Sequence, residues 1–333
     1  MVKQSNTKSV LFLALTLIIV FILSITMGAV KISPLVVLES LFGKTSGTQY
    51  NIIMHIRLPR AISALAIGAF LSCAGLVLQT VLNNAIAGPS VIGVNAGAGF
   101  FALIAMVFLP STFYAVPVMA FLGALTATLL VYEIGRRTGA SRLTIVLSGV
   151  AVSALFNAFS DTLLTFYPNA VSGKVSFSIG GLSAISANTL SWSVILGFMG
   201  ILSALLISGE LNVMILGDDM AHSLGLSVKK VRFFALVISA VLVGAAIAIG
   251  GQISFVGLIC PHIARRLWGG DVKILMPRVM LLGSILVLFC DILSRVLFAP
   301  FEIPVGIILS FLGAPFFIYL LISRKRGKTN DNN

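Results

Sequence analysis

Hydrophobic residues along this chain come in long unbroken blocks rather than in alternation or on one helical face. The blocks fall at about 9–30, 61–82, 91–109, 114–134, 143–166, 190–208, 233–250, 254–264, 274–299 and 304–323. A bilayer-spanning helix needs roughly 20 mostly apolar residues. Nine blocks reach or approach that length, and 254–264 is short enough to be a partial span. The pattern predicts an all-α polytopic membrane protein with about ten transmembrane helices. The longest gaps, 31–60 and 167–189, leave no room for a soluble domain, so residues 1–333 read as one transmembrane domain. Lys3 and Lys8 precede the first block, as in a signal peptide. That block is longer than the roughly 7–15 residues of a signal-peptide core, so it reads as an uncleaved first helix.

Composition narrows the class. Hydrophobic residues make up 58% of the 333 positions and charged residues only 10%. The mean hydropathy is +1.10. Soluble domains carry about 25% charge, and disordered chains combine low hydrophobicity with high charge, so both classes are excluded. The formal charge is +12. In a soluble chain this would suggest nucleic acid; in a membrane chain the first question is sidedness. With ten spans and a cytoplasmic N-terminus, sixteen of the 22 Lys and Arg residues fall on the inner side, among them Arg136, Arg137, Lys229, Arg265, Arg324 and Lys325. Six are left outside: Lys31, Lys44, Arg57, Arg60, Lys174 and Arg295. Cytoplasmic loops hold the excess of basic residues in membrane proteins, so both termini are expected in the cytoplasm and no nucleic-acid partner is needed.

The informative residues are exceptions to these patterns. Arg57-Leu58-Pro59-Arg60 places two cations on the side that otherwise lacks them. Pro59 suits a first helical turn, so both arginines are expected to project from a helix end into external water. They would either snorkel to lipid phosphates or dock acidic groups of an external partner. Asp291 and Arg295 are four apart and can pair on one helix face. Glu302 precedes Pro304 and is placed to cap the last helix. Gly250-Gly251 interrupts an apolar run just before Gln252, as a break between helices would. On the inner side, Gly217-Asp218-Asp219-Met220-Ala221-His222-Ser223-Leu224-Gly225 reads as a helix of one or two turns. Its acidic start favours the N-terminal dipole, Met220, Ala221 and Leu224 form an apolar face, and Gly225 stops it. Such a helix lies on lipid or slots into a groove of a partner protein. Lys229, Lys230 and Arg232 after it read as ordinary inner-side anchors.

Cys73, Cys260 and Cys290 lie in apolar runs and read as small buried hydrophobes. His55, His222 and His262 have no metal spacing. The sequence contains no Walker A loop, no GxSxG and no HExxH. ATP would therefore have to bind a different chain. An ion-driven transporter needs intramembrane carboxylates in a relay, and the candidates Glu133, Asp161 and Asp291 are scattered near helix ends. A membrane scaffold without transport is the third class.

Several blocks resemble the FecCD-type permeases of ABC importers, which move iron–siderophore complexes, haem or vitamin B12. They are Arg57 to Arg60 with Gly68 and Ala74 to Gln79; Asn84 to Gly99; Gly217 to Gly225; Phe255 to Arg265; and Glu302 to Gly306 with Gly313 to Phe317. Ala85 and Ser90 depart from the family pattern, where Pro and Gly are usual. The resemblance spans essentially the whole chain. It implies the type II ABC importer permease fold, with two permease subunits forming the pathway, identical or paralogous. Two ATPase subunits would carry ATP and Mg²⁺, this chain would bind no cofactor, and an extracellular binding protein would deliver cargo, most often ferric siderophore. It also implies docking arginines at Arg57, Arg60 and Arg295. The coupling segment to the ATPase would be Gly217, Asp218, Asp219, Ala221, Leu224 and Gly225. Gate regions fall near Asn84 and at Ala140 and Ser141. Ser148, Ser153, Asn157 and Asp161 would line the pathway.

Overall fold

The computed structural model describes residues 2–28, 32–41, 47–89, 92–112, 114–138, 142–182, 187–299 and 301–330. Those residues form helices and their connections, with no strand among them. Each of the ten apolar blocks is helical: α1 (Val2–Thr26), α4 (Leu58–Val81), α5 (Val94–Phe108), α6 (Ala115–Arg137), α7 (Arg142–Phe166), α9 (Ala187–Leu206), α12 (Val228–Gly250), α13 (Val256–Trp268), α14 (Val272–Val296) and α15 (Val305–Asn330). Among the described residues, seven helices are long and apolar enough to cross a bilayer, and the apolar helices at Val94–Phe108 and Val305–Tyr319 are shorter. Between them lie helices that the hydrophobic blocks did not mark: α2 (Pro34–Leu41), α3 (Thr48–Asn51), α8 (Val171–Ile179), α10 (Ser208–Ile215) and α11 (Asp218–Ser223).

Helix α4 is the axis of the bundle. Its most apolar window is 89% buried, against 28% for α1 at the periphery. It packs against α14, α12, α13 and α9. This burial follows from its small residues, since Gly and Ala let backbones approach in an apolar solvent where packing drives association. A Cβ on Gly68 would lie 2.2 Å from the Gly283 carbonyl oxygen of α14, and one on Gly75 would lie 1.9 Å from that of Gly257 on α13.

The sequence reading started α4 at Pro59, and here the structure differs. The helix runs back continuously through a π-helical turn, Ile52–Arg57, into α3. Proline has no N–H to donate and crowds the carbonyl four residues earlier; a widened turn just before it accommodates that crowding. Arg57 and Arg60 therefore sit within a continuous helix, not at its free end.

Irregular backbone also gathers around the end of α12. Helix α12 ends at Gly250, and Gly251 follows at φ 72°, as the glycine pair predicted. The Gly181 N–H donates to the Gly250 carbonyl at 2.9 Å, and the Gln252 N–H donates to the Phe177 carbonyl at 2.9 Å. The Gly306 N–H donates to the Gly180 carbonyl at 3.3 Å. Three chain breaks thus satisfy one another's polar groups, which hydrocarbon would leave unmet. The end of α14 opposite Arg295 is capped by Asp271, which accepts from Lys273 N at 2.9 Å and from Asn212 of α10 at 2.9 Å. The Asn212 hydrogen bond, with the backbone N–H groups, holds the Asp271 carboxyl below its ordinary range.

Candidate functional site: a buried arginine cluster, a polar cavity and an exposed short helix

Arg57, Arg60 and Arg295 do come together, but they do not project into water. All three are buried. Arg60 Nε donates to Asp291 Oδ1 at 2.8 Å, and its NH1 donates to Glu302 Oε2 at 2.7 Å. Asp291 is wholly buried, and its Oδ2 lies 2.9 Å from Arg295 NH2. That contact is a close ion pair rather than an aligned hydrogen bond. Helical spacing predicted the Asp291–Arg295 pair correctly. Glu302, expected to cap α15, instead turns its carboxylate to Arg60.

The remaining donors close the end of α1. Arg57 NH1 donates to the carbonyls of Ile25 at 2.7 Å and Thr26 at 2.9 Å. Arg295 donates to the carbonyls of Met27 at 2.9 Å and Ser24 at 2.9 Å. The last four carbonyls of a helix lack internal partners, and cations favour that end of the dipole. Two arginines therefore cap α1 and fasten it to α4 and α14. Gly28 makes room for them, since a Cβ there would sit 3.0 Å from Arg57 NH2.

The pathway residues expected on α7 divide. Ser153 and Asn157 line a cavity of about 260 Å³ together with Asn95, Ser160, Lys174, Ser178 and Gln252. A neighbouring cavity of about 500 Å³, lined by Ile307, Ser310 and Phe311 of α15, shares Ser178 and Gln252 with it. Ser148 is buried outside this cavity, its hydroxyl donating to the Thr144 carbonyl at 2.7 Å. Asp161 is exposed and lies 3.7 Å from Lys174 Nζ. Gln252, Asn95 and Lys174 were not among the expected lining residues. Gln252 had a visible signal, a polar residue directly after a glycine break, and its Nε2 donates to the Asn95 carbonyl at 2.7 Å.

At the far end, α4 closes at Asn83, which takes a left-handed φ of 44°. The Asn84 N–H donates back to the Gln79 carbonyl at 3.0 Å, and Asn84 Oδ1 accepts from Ile86 N at 3.0 Å. Asn84 therefore shapes a turn. Ala140 and Ser141 lie outside the described residues.

Helix α11 forms where the inner polar segment predicted it. Gly217 at φ 103° opens it and Gly225 at φ 82° closes it. The Leu226 N–H donates to the Ala221 carbonyl at 3.0 Å and the Gly225 N–H to the His222 carbonyl at 2.9 Å, a Schellman stop. The apolar face divides, however: Ala221 packs inward, while Met220 and Leu224 stand exposed one turn apart. Asp219 is exposed as well. Arg232, read as an ordinary inner-side anchor, is buried and donates to Asp218 at 2.8 Å. That pair fixes α11 against α12. Helix α11 follows α10, whose Asn212 holds the N-terminus of α14, whereas the arginine cluster holds the C-terminus. The 25 residues of α14 span about 36 Å, so the two features sit at opposite ends of the bundle. No group of three His, Cys, Asp or Glu side chains among the described residues could hold a metal ion.

Comparison with known proteins adds three findings. The model of the FecCD transport family matches residues 16–323. The chain is 36% identical over 318 residues to the Fe(3+)-citrate import system permease protein YfmE of Bacillus subtilis, covering 94% of each chain. It is 35% identical over 339 residues to the iron(3+)-hydroxamate import system permease protein FhuG of the same organism, covering 96% and 99%. Its fold matches a solved structure described as a metal-chelate type ABC transporter in an inward-facing conformation, with a TM-score of 0.83, 28% identity and coverage of 95% and 99%.

Proposed function

The chain belongs to the FecCD transport family, and from that premise we propose that it forms the membrane path for ferric siderophore, paired with a second permease subunit and driven by two ATPase subunits. It is a membrane-spanning ABC importer permease; ATP hydrolysis falls to a separate subunit. The cargo reading rests on the full-length likeness to permeases named for ferric citrate and ferric hydroxamate. Haem and cobalamin are the alternatives the family leaves open. The excess of basic residues on one side supports both termini in the cytoplasm.

In this reading the helix α11 end faces the ATPase and the arginine end faces outward to the binding protein. The exposed Met220 and Leu224 suit a groove in a partner, and the Asp218–Arg232 pair would transmit its motion to α12. Ser153 and Asn157, two of the four pathway residues expected on α7, line the cavity with Gln252, which supports a pathway there. The ion-driven alternative finds no support in the carboxylates it would need. Glu133 is held by Arg136 and Arg137, Asp161 by Lys174, and Asp291 by Arg60 and Arg295.

Two measurements test the reading. Uptake of ⁵⁵Fe-loaded hydroxamate and citrate should vanish on deletion of the chain and on inactivation of its ATPase. Uptake that persists without the ATPase would overturn it. Leu224→Asp should leave folding unchanged, because exposed substitutions shift stability by only about 0.5 kcal/mol. It should nonetheless cut uptake at least about tenfold, since charging the centre of a contact commonly costs about 2 kcal/mol or more. Normal uptake and normal ATPase copurification in that variant would show that α11 does not couple.

A further inference from the structure

The arginine cluster holds three cations, Arg57, Arg60 and Arg295, against two carboxylates, Asp291 and Glu302. The two carboxylates are not equivalent. Asp291 sits on α14, is wholly buried, and bridges Arg60 and Arg295. Glu302 sits on the short non-helical link between α14 and α15; its side chain is 40% exposed, and among the described residues it forms an ion pair with Arg60. The link's backbone is held independently of that side chain. The Phe301 N–H donates to the Phe298 carbonyl at 2.9 Å and the Ile303 N–H to the Ser294 carbonyl at 3.1 Å. Glu302 can therefore rotate off Arg60 without moving the fold.

Arg60 keeps the charge of Asp291 at Nε, but its NH1 needs an oxygen acceptor on the other side. A buried charged donor that loses its partner is strongly destabilised, whereas a half-exposed glutamate regains water at small cost. The guanidinium thus demands an occupant at NH1 but does not demand Glu302. On the same link as Glu302, Phe298 and Phe301 are exposed apolar side chains, of the kind that excludes water from a central charged contact once a partner covers them. Resting on the reading that a binding protein docks at this end, we propose that Glu302 is an internal stand-in for that partner's carboxylate: an acidic side chain of the docked protein displaces Glu302 from Arg60 and takes its place. Arg60 then remains paired throughout docking and release. The exchange gives the permease a built-in competitor that limits affinity and speeds departure of the empty receptor.

The experiment measures binding of the purified extracellular binding protein to the detergent-solubilised permease–ATPase complex over a salt series. Glu302→Gln removes the competing charge, and binding is expected to become about three- to tenfold tighter at low salt, in the range of close interfacial charge effects. The gain should shrink as salt rises. Glu302→Asp keeps the charge but shortens the reach, and it should also bind more tightly than the native complex. Glu302→Gln keeps an amide oxygen for Arg60 NH1 and should stay within a few degrees of the native melting temperature, whereas Glu302→Asp leaves NH1 to water at the half-exposed edge and should be the less stable of the two. Salt-dependent native binding with neither variant tighter would overturn the exchange while leaving docking intact. A gain in Glu302→Gln with Glu302→Asp at native affinity would reduce the effect to net charge and also overturn the exchange. Native binding that ignores salt would remove the docking reading itself, and the exchange with it.

Discussion

Replacing Asp291 with alanine is expected to destabilise the folded permease by roughly 3–5 kcal/mol, the cost of stranding a buried charge by deleting its partner. Two arginines lose their shared carboxylate at once, because Asp291 contacts both Arg60 and Arg295 from a wholly buried position, and Glu302 is left to Arg60 alone. Arg295 then loses the anchor that aims it at the Ser24 and Met27 carbonyls, so the end of α1 keeps only the Arg57 half of its cap. The measurement is the fraction of protein eluting as a monodisperse species after detergent extraction, with its melting temperature. Asp291→Asn should fall between the native protein and alanine, since an amide oxygen accepts but carries no charge. A melting temperature for Asp291→Ala within two degrees of native would show that the cluster is not structural. One practical consequence follows: reversing Arg60 or Arg295 to test docking would break the same network, and lost uptake would then report misfolding. Glu302, on the exposed side, is the residue at which docking and folding can be separated.

The second large effect is expected at Gly75. An alanine Cβ there would lie 1.9 Å from the Gly257 carbonyl oxygen. The obstacle is backbone, so no rotamer change relieves it, and α4 and α13 must separate. Overpacking typically costs about 1–3 kcal/mol when side chains can adjust, and this site should reach or exceed the upper end. Gly68 lies seven residues earlier on the same face of α4, where its Cβ would meet the Gly283 carbonyl oxygen at 2.2 Å. Gly68→Ala should therefore fail similarly by parting α4 from α14. Gly270→Ala serves as the control, since a Cβ there meets nothing within 4 Å. Loss of folded yield in the two helix variants, with native yield in the control, is the expected outcome. Native yield for Gly75→Ala would mean that α4 and α13 cross less closely than they do here.

The hydrophobic blocks and the charge distribution, read from the sequence alone, determined the protein class, the position of ten helices and the break after Gly250. These are local properties: twenty apolar residues in a row specify a helix in lipid whatever lies beside it. Helix α11 and the Asp291–Arg295 pair were legible for the same reason, since the turn residues and the i, i+4 spacing act over a few residues. What the sequence misplaced depended on partners far along the chain. Arg57 reads as an external cation until α1, 31 and 32 residues away, offers it the carbonyls of Thr26 and Ile25. Arg60 meets Asp291 and Glu302 more than 230 residues later. Arg232 looks like one more inner-side anchor until Asp218 pairs with it. Glycine content alone could not say which glycines sit at backbone crossings, because only the crossing of α4 with α13 and α14 makes Gly68 and Gly75 different from Gly270. Composition chose the solvent and local spacing chose the helices; only the packing of helix against helix decided which charges are buried, and with what.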